Sequence, residues 1–147
     1  MHCAATGVHG SIEDLTLRHF DWTFALNVRA LFDLVKRLLP RSAAGASILV
    51  LSSQGAVRAI PAYSLVGASK GALEALARHL AVELAPRGIR VNILVPEAVA
   101  TDAWESMPNG TDRLAEMARQ TPSGPAKPRR RTSYTPRNSP VRMRLVP

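Results

Sequence analysis

Cysteine, long apolar runs and, over one stretch, acidic residues are scarce in this sequence. A single cysteine, Cys3, excludes an internal disulfide framework and fits a reducing compartment. The longest unbroken apolar run is Ile48 to Leu51, far below the roughly 20 residues a membrane helix needs. Residues 1–20 carry no basic stretch followed by an apolar one, so no secretory leader is read and a cytoplasmic location is expected. All 11 Asp and Glu lie before residue 121. The formal net charge of +8 is therefore concentrated in residues 121–147, where Lys127, Arg129, Arg130, Arg131, Arg137, Arg142 and Arg144 meet no carboxylate.

With 147 residues, 46% hydrophobic and 20% charged, the chain has the makings of a folded core. It is long enough for one domain and too short for a dinucleotide enzyme with a separate substrate domain. The Arg-rich tail holds six of the 11 prolines and no apolar periodicity, so it is expected to be disordered. Read as a nucleic-acid arm it offers charge but, apart from Tyr134, no aromatic for stacking, which argues against a nucleic-acid partner.

From Ser11 to Leu39, apolar Phe20, Phe24, Leu31, Leu34, Val35 and Leu38 recur at helical steps, with Ser11 or Thr16 as cap and Pro40 as stop. Asn27 lies on that stripe, either as a core amide bonded to nearby backbone or as an amide that positions something at a site. Ser47 to Ser52 and Ile89 to Val95 read as strands buried on both faces. Between them, a helix from about Tyr63 to Ala85 is closed by Pro86-Arg87-Gly88. Strand, helix and strand make a βαβ unit, and the fold class is α/β with a parallel sheet. A short amphipathic helix is expected over Asp112–Gln120.

Sites in open parallel sheets lie outside the carboxyl ends of the strands. That places Ser52 and Ser53 beside Tyr63, the start of the second helix, and Lys70 follows two turns later on the same face. A phenol with pKa near 10 is a poor acid at neutral pH, and a nearby ammonium favours the phenolate, so such a pair suits proton transfer. Each residue also has a plain reading: a packing tyrosine, a solvated lysine, a serine pair that turns the chain.

The stretches Ile48-Leu-Val-Leu-Ser-Ser53, Tyr63-Ser-Leu-Val-Gly-Ala-Ser-Lys70-Gly-Ala-Leu-Glu-Ala-Leu76 and Leu80-Ala-Val-Glu-Leu-Ala-Pro-Arg-Gly-Ile-Arg-Val-Asn92 resemble the short-chain dehydrogenase/reductase family over about residues 4–124. Most members place Tyr and Lys four apart, but here position 66 is Val66; the seven-residue spacing resembles the enoyl-acyl-carrier-protein reductase branch, nearest its NADPH-using type III. The resemblance implies a doubly wound, Rossmann-like sheet, of which residues 1–124 are the carboxyl-terminal part and residues 125–147 a basic tail. It implies NADPH or NADH as cofactor, no metal, and an acyl thioester or other small carbonyl as substrate. Tyr63 would protonate or hydrogen-bond the enolate, Lys70 would hold the nicotinamide ribose and tune Tyr63, Ser53 would orient the substrate carbonyl, and Asn27 would complete the quartet. Pro96, Val99 and Thr101 match the loop that meets the nicotinamide carboxamide and the diphosphate side.

The departures are specific. The family's Gly-rich phosphate loop is absent, Cys3 stands where an Asn is expected, and Glu97 replaces the usual Gly beside the nicotinamide. The expectation is a chain that begins at about the family's fourth strand and does not turn over alone. Its alternatives are a ketoreductase or alcohol dehydrogenase of the same family, or an inactive module that oligomerises through helices 16–39 and 63–85.

Overall fold

The computed structural model describes residues 1–96, 109–119 and 141–145. In chain order these form α1 (Leu17–Phe24), α2 (Ala30–Leu38), β1 (Ser47–Leu51), α3 (Ser64–Leu84), β2 (Arg90–Pro96), α4 (Gly110–Arg119) and β3 (Val141–Leu145). β1 and β2 pair in parallel, with Ser47 opposite Arg90 and Leu51 opposite Leu94, so α3 is the crossover of the expected βαβ unit.

The first helical segment is not continuous. Thr16 caps α1 through a reciprocal pair, its hydroxyl accepting from the His19 N–H while the His19 ring accepts from the Thr16 N–H. A π-turn over Ala25–Arg29 then separates α1 from α2, and the Ala30 N–H reaches back five residues to the Ala25 carbonyl. The expected apolar stripe is corrected accordingly. The buried row is Thr23, Asn27, Leu31 and Val35, at steps of four, whereas Phe20, Leu34 and Leu38 are exposed. Phe20 stacks instead on Phe24, ring centroids 4.3 Å apart, on the outer surface of the helix.

Leu31, Val35, Val50, Leu73, Ala77, Leu80, Leu84, Ile89, Val91 and Ile93 form one core. Burying each of its large aliphatic side chains contributes about 1.5–3 kcal/mol. Gly88 ends the turn after α3 in the left-handed region, φ 67°, which a residue with a Cβ adopts at a cost. The reading of both strands as buried on two faces holds for one face only. Val50, Val91 and Ile93 point into the core with α2 and α3, while Leu49, Leu51, Asn92 and Leu94 on the opposite face are half-buried, because both of those helices pack on the first face.

The sheet also departs from an all-parallel one. At one edge His2 makes a parallel bridge to Val50. At the other, β3 pairs antiparallel with β2, Asn92 opposite Leu145 and Pro96 opposite Val141. β3 falls within the tail expected to be disordered, where apolar and basic residues alternate with the period of a strand; the rest of residues 120–147 lies outside the described residues. Among the described residues, no helix is long and apolar enough to cross a membrane.

Candidate active site at the carboxyl ends of the strands

Past Leu51 the chain leaves the sheet with two serines that point opposite ways, as successive strand residues do. Ser52 is 3% exposed and turns towards α3, where its hydroxyl donates to Glu74 Oε1 at 2.7 Å. Its N–H donates to the Leu94 carbonyl, so the sheet extends one residue beyond β1. Ser53 turns the other way: its Oγ accepts from the Gly55 N–H at 3.2 Å and stands 3.3 Å from Tyr63 Oη. While it accepts from Gly55, the Ser53 hydroxyl keeps its own proton, and in the contact with Tyr63 either hydroxyl can donate.

Tyr63 sits at the N-cap of α3. The residue before it, Ala62, has φ 58°. A left-handed alanine costs about 1–2 kcal/mol, and strain of this kind is retained where the surrounding structure fixes it. Three contacts do so here. The Gly10 N–H donates to the Ala62 carbonyl at 3.1 Å, Arg113 Nη1 from α4 donates to the Pro61 carbonyl at 3.2 Å, and the Gly67 N–H donates to the Tyr63 carbonyl at 2.7 Å.

The Cδ1–Cε1 edge of the tyrosine ring lies against Gly55, where a Cβ would come within 2.5 Å of it. One face of the ring stacks on His9, centroids 5.4 Å apart and planes 22° apart. Burial, and then the Arg113 guanidinium, push the His9 imidazole below its usual range.

Lys70, two turns along α3, is 4% exposed and donates from Nζ to the Leu51 carbonyl at 2.9 Å. Burial pulls its ammonium below the usual lysine range, and Cys3 acts in the opposite direction. One proton of the ammonium is committed to the strand end. Position 66, where the commoner four-residue spacing would put a tyrosine, is occupied by Val66, buried against Gly7.

The structure therefore brings Ser53 and Tyr63 together and places Lys70 at the same strand end. It does not bring the Asn27 side chain to them. The Asn27 amide accepts from the Thr6 N–H and donates to the Thr6 carbonyl, each at 2.9 Å, and donates to Ser69 Oγ at 2.8 Å. All its protein partners belong to the 1–10 segment and α3, which matches the core-amide reading. Pro96 closes β2 at the carboxyl end, whereas Val99 and Thr101 lie outside the described residues.

A cleft of about 350 Å³ opens beside Tyr63, lined among others by Ile12, Arg58, Ile60 and Ala62. The residues to which sequence reasoning gave no role are His9, Gly55 and Glu74. Only Glu74 left a trace, a carboxylate four after Lys70 on the buried row of α3. Among the described residues no group of three or more His, Cys, Asp and Glu is placed to hold a metal ion.

A family model described as enoyl-(acyl carrier protein) reductase matches residues 1–130. The tetrahydroxynaphthalene reductase of Pyricularia oryzae is 31% identical over 116 residues, 74% of this chain and 41% of that protein. The 1-cyclohexenylcarbonyl-CoA reductase of Streptomyces collinus is 36% identical over 102 residues, 69% of this chain and 36% of its own length. Among solved structures, the angucycline C-6 ketoreductase LanV with bound NADP superposes with a TM-score of 0.77 at 31% identity, covering 86% of this chain and 49% of that one. The chain thus spans less than half the length of each of these relatives.

Proposed function

The chain belongs to the short-chain dehydrogenase/reductase family, in its enoyl-reductase-like group, and from that premise we propose that it carries the nicotinamide-side and substrate-side half of an NAD(P)H-dependent reductase acting on an enoyl thioester. The observation that carries the reading is the 3.3 Å approach of Ser53 Oγ to Tyr63 Oη beside the strand end that holds Lys70.

The donor set fits the nicotinamide–ribose end of such a cofactor. The Lys70 ammonium has two protons beyond the one given to Leu51, and Tyr63 presents a hydroxyl above the same strand end. Together they would hold the two ribose hydroxyls. Pro96 at the end of β2, with Val99 and Thr101 after it, would meet the carboxamide and the diphosphate side. A reduced nicotinamide, when bound, supplies the hydride.

The chain's own residues do the rest. Ser53 hydrogen-bonds the substrate carbonyl oxygen, on which negative charge develops as the double bond is reduced. Tyr63 Oη gives its proton to, or hydrogen-bonds, that oxygen, and the positive charge of Lys70 favours the phenolate left behind. Asn27 acts at a distance, by fastening the 1–10 segment to α3.

The second reading, a ketoreductase, is supported by the likeness to the NADP-bound ketoreductase. The same pair would then protonate an alkoxide instead of an enolate. Incubating the full chain with NADPH and either crotonyl-CoA or ethyl acetoacetate, and analysing products by NMR, separates the two. Butyryl-CoA supports the enoyl reading and 3-hydroxybutyrate ester the keto reading, and either product overturns the expectation that the chain does not turn over alone.

The partner reading is a second copy of the chain, paired along residues 16–39 and 63–85. Exposed Leu17, Phe20, Trp22, Phe32 and Leu38 on α1 and α2, with Val82 on α3, support it. Light scattering would return twice the 15.9 kDa monomer mass or a higher multiple; a monomer at high concentration rejects it.

A further inference from the structure

We propose that His9 is a positioning residue for Tyr63, fixing the phenol where its oxygen meets Ser53; the proposal rests on the reading of Tyr63 as proton donor. Tyr63 is attached to the chain at the very start of α3, after a left-handed alanine. Its ring is therefore not held by the helix interior and needs walls of its own. Gly55 supplies one along the Cδ1–Cε1 edge, and Gly67 adds to it, a Cβ there falling 3.6 Å from Cδ1. Those contacts stop the ring moving one way and leave the face open.

His9 covers that face. Its ring lies 22° from parallel, with centroids 5.4 Å apart, a stacked arrangement that resists rotation of the tyrosine about its Cα–Cβ bond. The stack is anchored next door. The Gly10 N–H, one residue on, bonds the Ala62 carbonyl, one residue before Tyr63. His9 and Tyr63 are thus clamped together by backbone as well as by their rings. Half-burial and the Arg113 guanidinium both favour the neutral imidazole, the form that stacks without bringing a charge to the phenol.

His9 also has no assigned place in the proton-transfer scheme, since its ring faces the carbon body of Tyr63 and the hydroxyl meets Ser53. Its effect is consequently on geometry. A displacement of about 1 Å in a reacting group lowers turnover by about a hundredfold.

The test is NMR of the full chain with labelled tyrosine rings, Tyr63 being distinguished from Tyr134 by Tyr134→Phe. In the wild type, cross-relaxation is expected between the His9 and Tyr63 rings and between Tyr63 Hε and Ser53 Hβ. In His9→Ala the Tyr63–Ser53 signal is lost and the Tyr63 ring resonances move towards those of free tyrosine; in His9→Phe both are restored. Absence of His9–Tyr63 cross-relaxation in the wild type overturns the proposal even where His9→Ala does not fold. So does a Tyr63–Ser53 signal that survives in a folded His9→Ala. Where the wild-type chain reduces crotonyl-CoA with NADPH, turnover also separates the two ideas. A loss of kcat of about ten- to a hundredfold in His9→Ala with KM little changed, rescued by His9→Phe, supports the positioning role. Full activity in Tyr63→Phe overturns the proton-donor reading, whereas full activity in His9→Ala with an inactive Tyr63→Phe overturns only the role of His9.

Discussion

Ser52 Oγ donates to Glu74 Oε1 at 2.7 Å, and the two residues, 3% exposed each, tie the end of β1 to the middle of α3. The bond joins the two elements that carry Ser53 and Lys70, the neighbour of one partner and the residue one turn from the other. Because Glu74 is buried, Ser52→Ala removes a donor from a carboxylate that has little water to replace it. A loss of about 1–3 kcal/mol in urea unfolding is expected, and a variant as stable as the wild type would show that the bond does not form in solution.

Tyr63→Phe keeps the ring, its stack on His9 and its fit against Gly55, and removes only the hydroxyl. On the proposed role, any reductase turnover of the chain is expected to fall by about 10²–10⁴-fold, with stability changed by no more than about 1 kcal/mol. Steady-state kinetics with a denaturation curve on the same sample check both. Retained activity would remove Tyr63 from the chemistry.

Gly55→Ala tests the slot. Its Cβ would lie 2.5 Å from the Tyr63 ring and 3.4 Å from Ile60 Cδ1, so ring or loop has to shift. Overpacking of this kind costs about 1–3 kcal/mol. The Tyr63 ring resonances are expected to move while those of β2 stay in place.

His2 and His9 set the response to acid. His2 is held below the usual 6.5 by burial and then by the Lys70 charge, with the Asn27 backbone opposing, and His9 by burial and then Arg113. The unfolded chain therefore binds protons first as pH drops. Stability is fully present above about 6.5 and is lost progressively as pH falls through the lower folded values. Urea midpoints at about pH 7.5 and pH 5 should differ in that sense, and His2→Asn should reduce the difference. A midpoint that rises towards acid would contradict both shifts.

The sheet and its crossover were legible because Ile48–Leu51 and Ile89–Val95 stand out as short apolar segments and the leucines of α3 recur at helical steps. The break at Ala25–Arg29 was not. A π-turn adds one residue to a helical turn without a proline or glycine to mark it, and so it turns Phe20, Leu34 and Leu38 outward while Thr23 joins Asn27, Leu31 and Val35 on the buried row. β3 was hidden among arginines and prolines, although Val141, Met143 and Leu145 alternate as a strand requires.

The nearness of Ser53, Tyr63 and the strand end that holds Lys70 was readable from spacing, because a strand end and the first two turns of a helix fix their relative positions, whereas the roles proposed for them come from the resemblance. His9 and Gly55 were not, since a stack between a loop residue and a helix cap has no periodicity. Asn27 was readable as an anomaly on an apolar face, and its bonds to Thr6 and Ser69 explain that position.

On the proposed function, Tyr63 and Lys70 form the nicotinamide end of a dinucleotide site with Ser53 beside them. The most direct measurement is titration of the full chain with reduced nicotinamide mononucleotide, followed by NMR of the labelled tyrosine rings and lysine side chains. The Tyr63 and Lys70 signals are expected to move together and saturate, with the shifts abolished in a Lys70→Met variant that retains its fold. Signals at Tyr63 and Lys70 that stay fixed while others move, or that stay fixed throughout the titration, would contradict it.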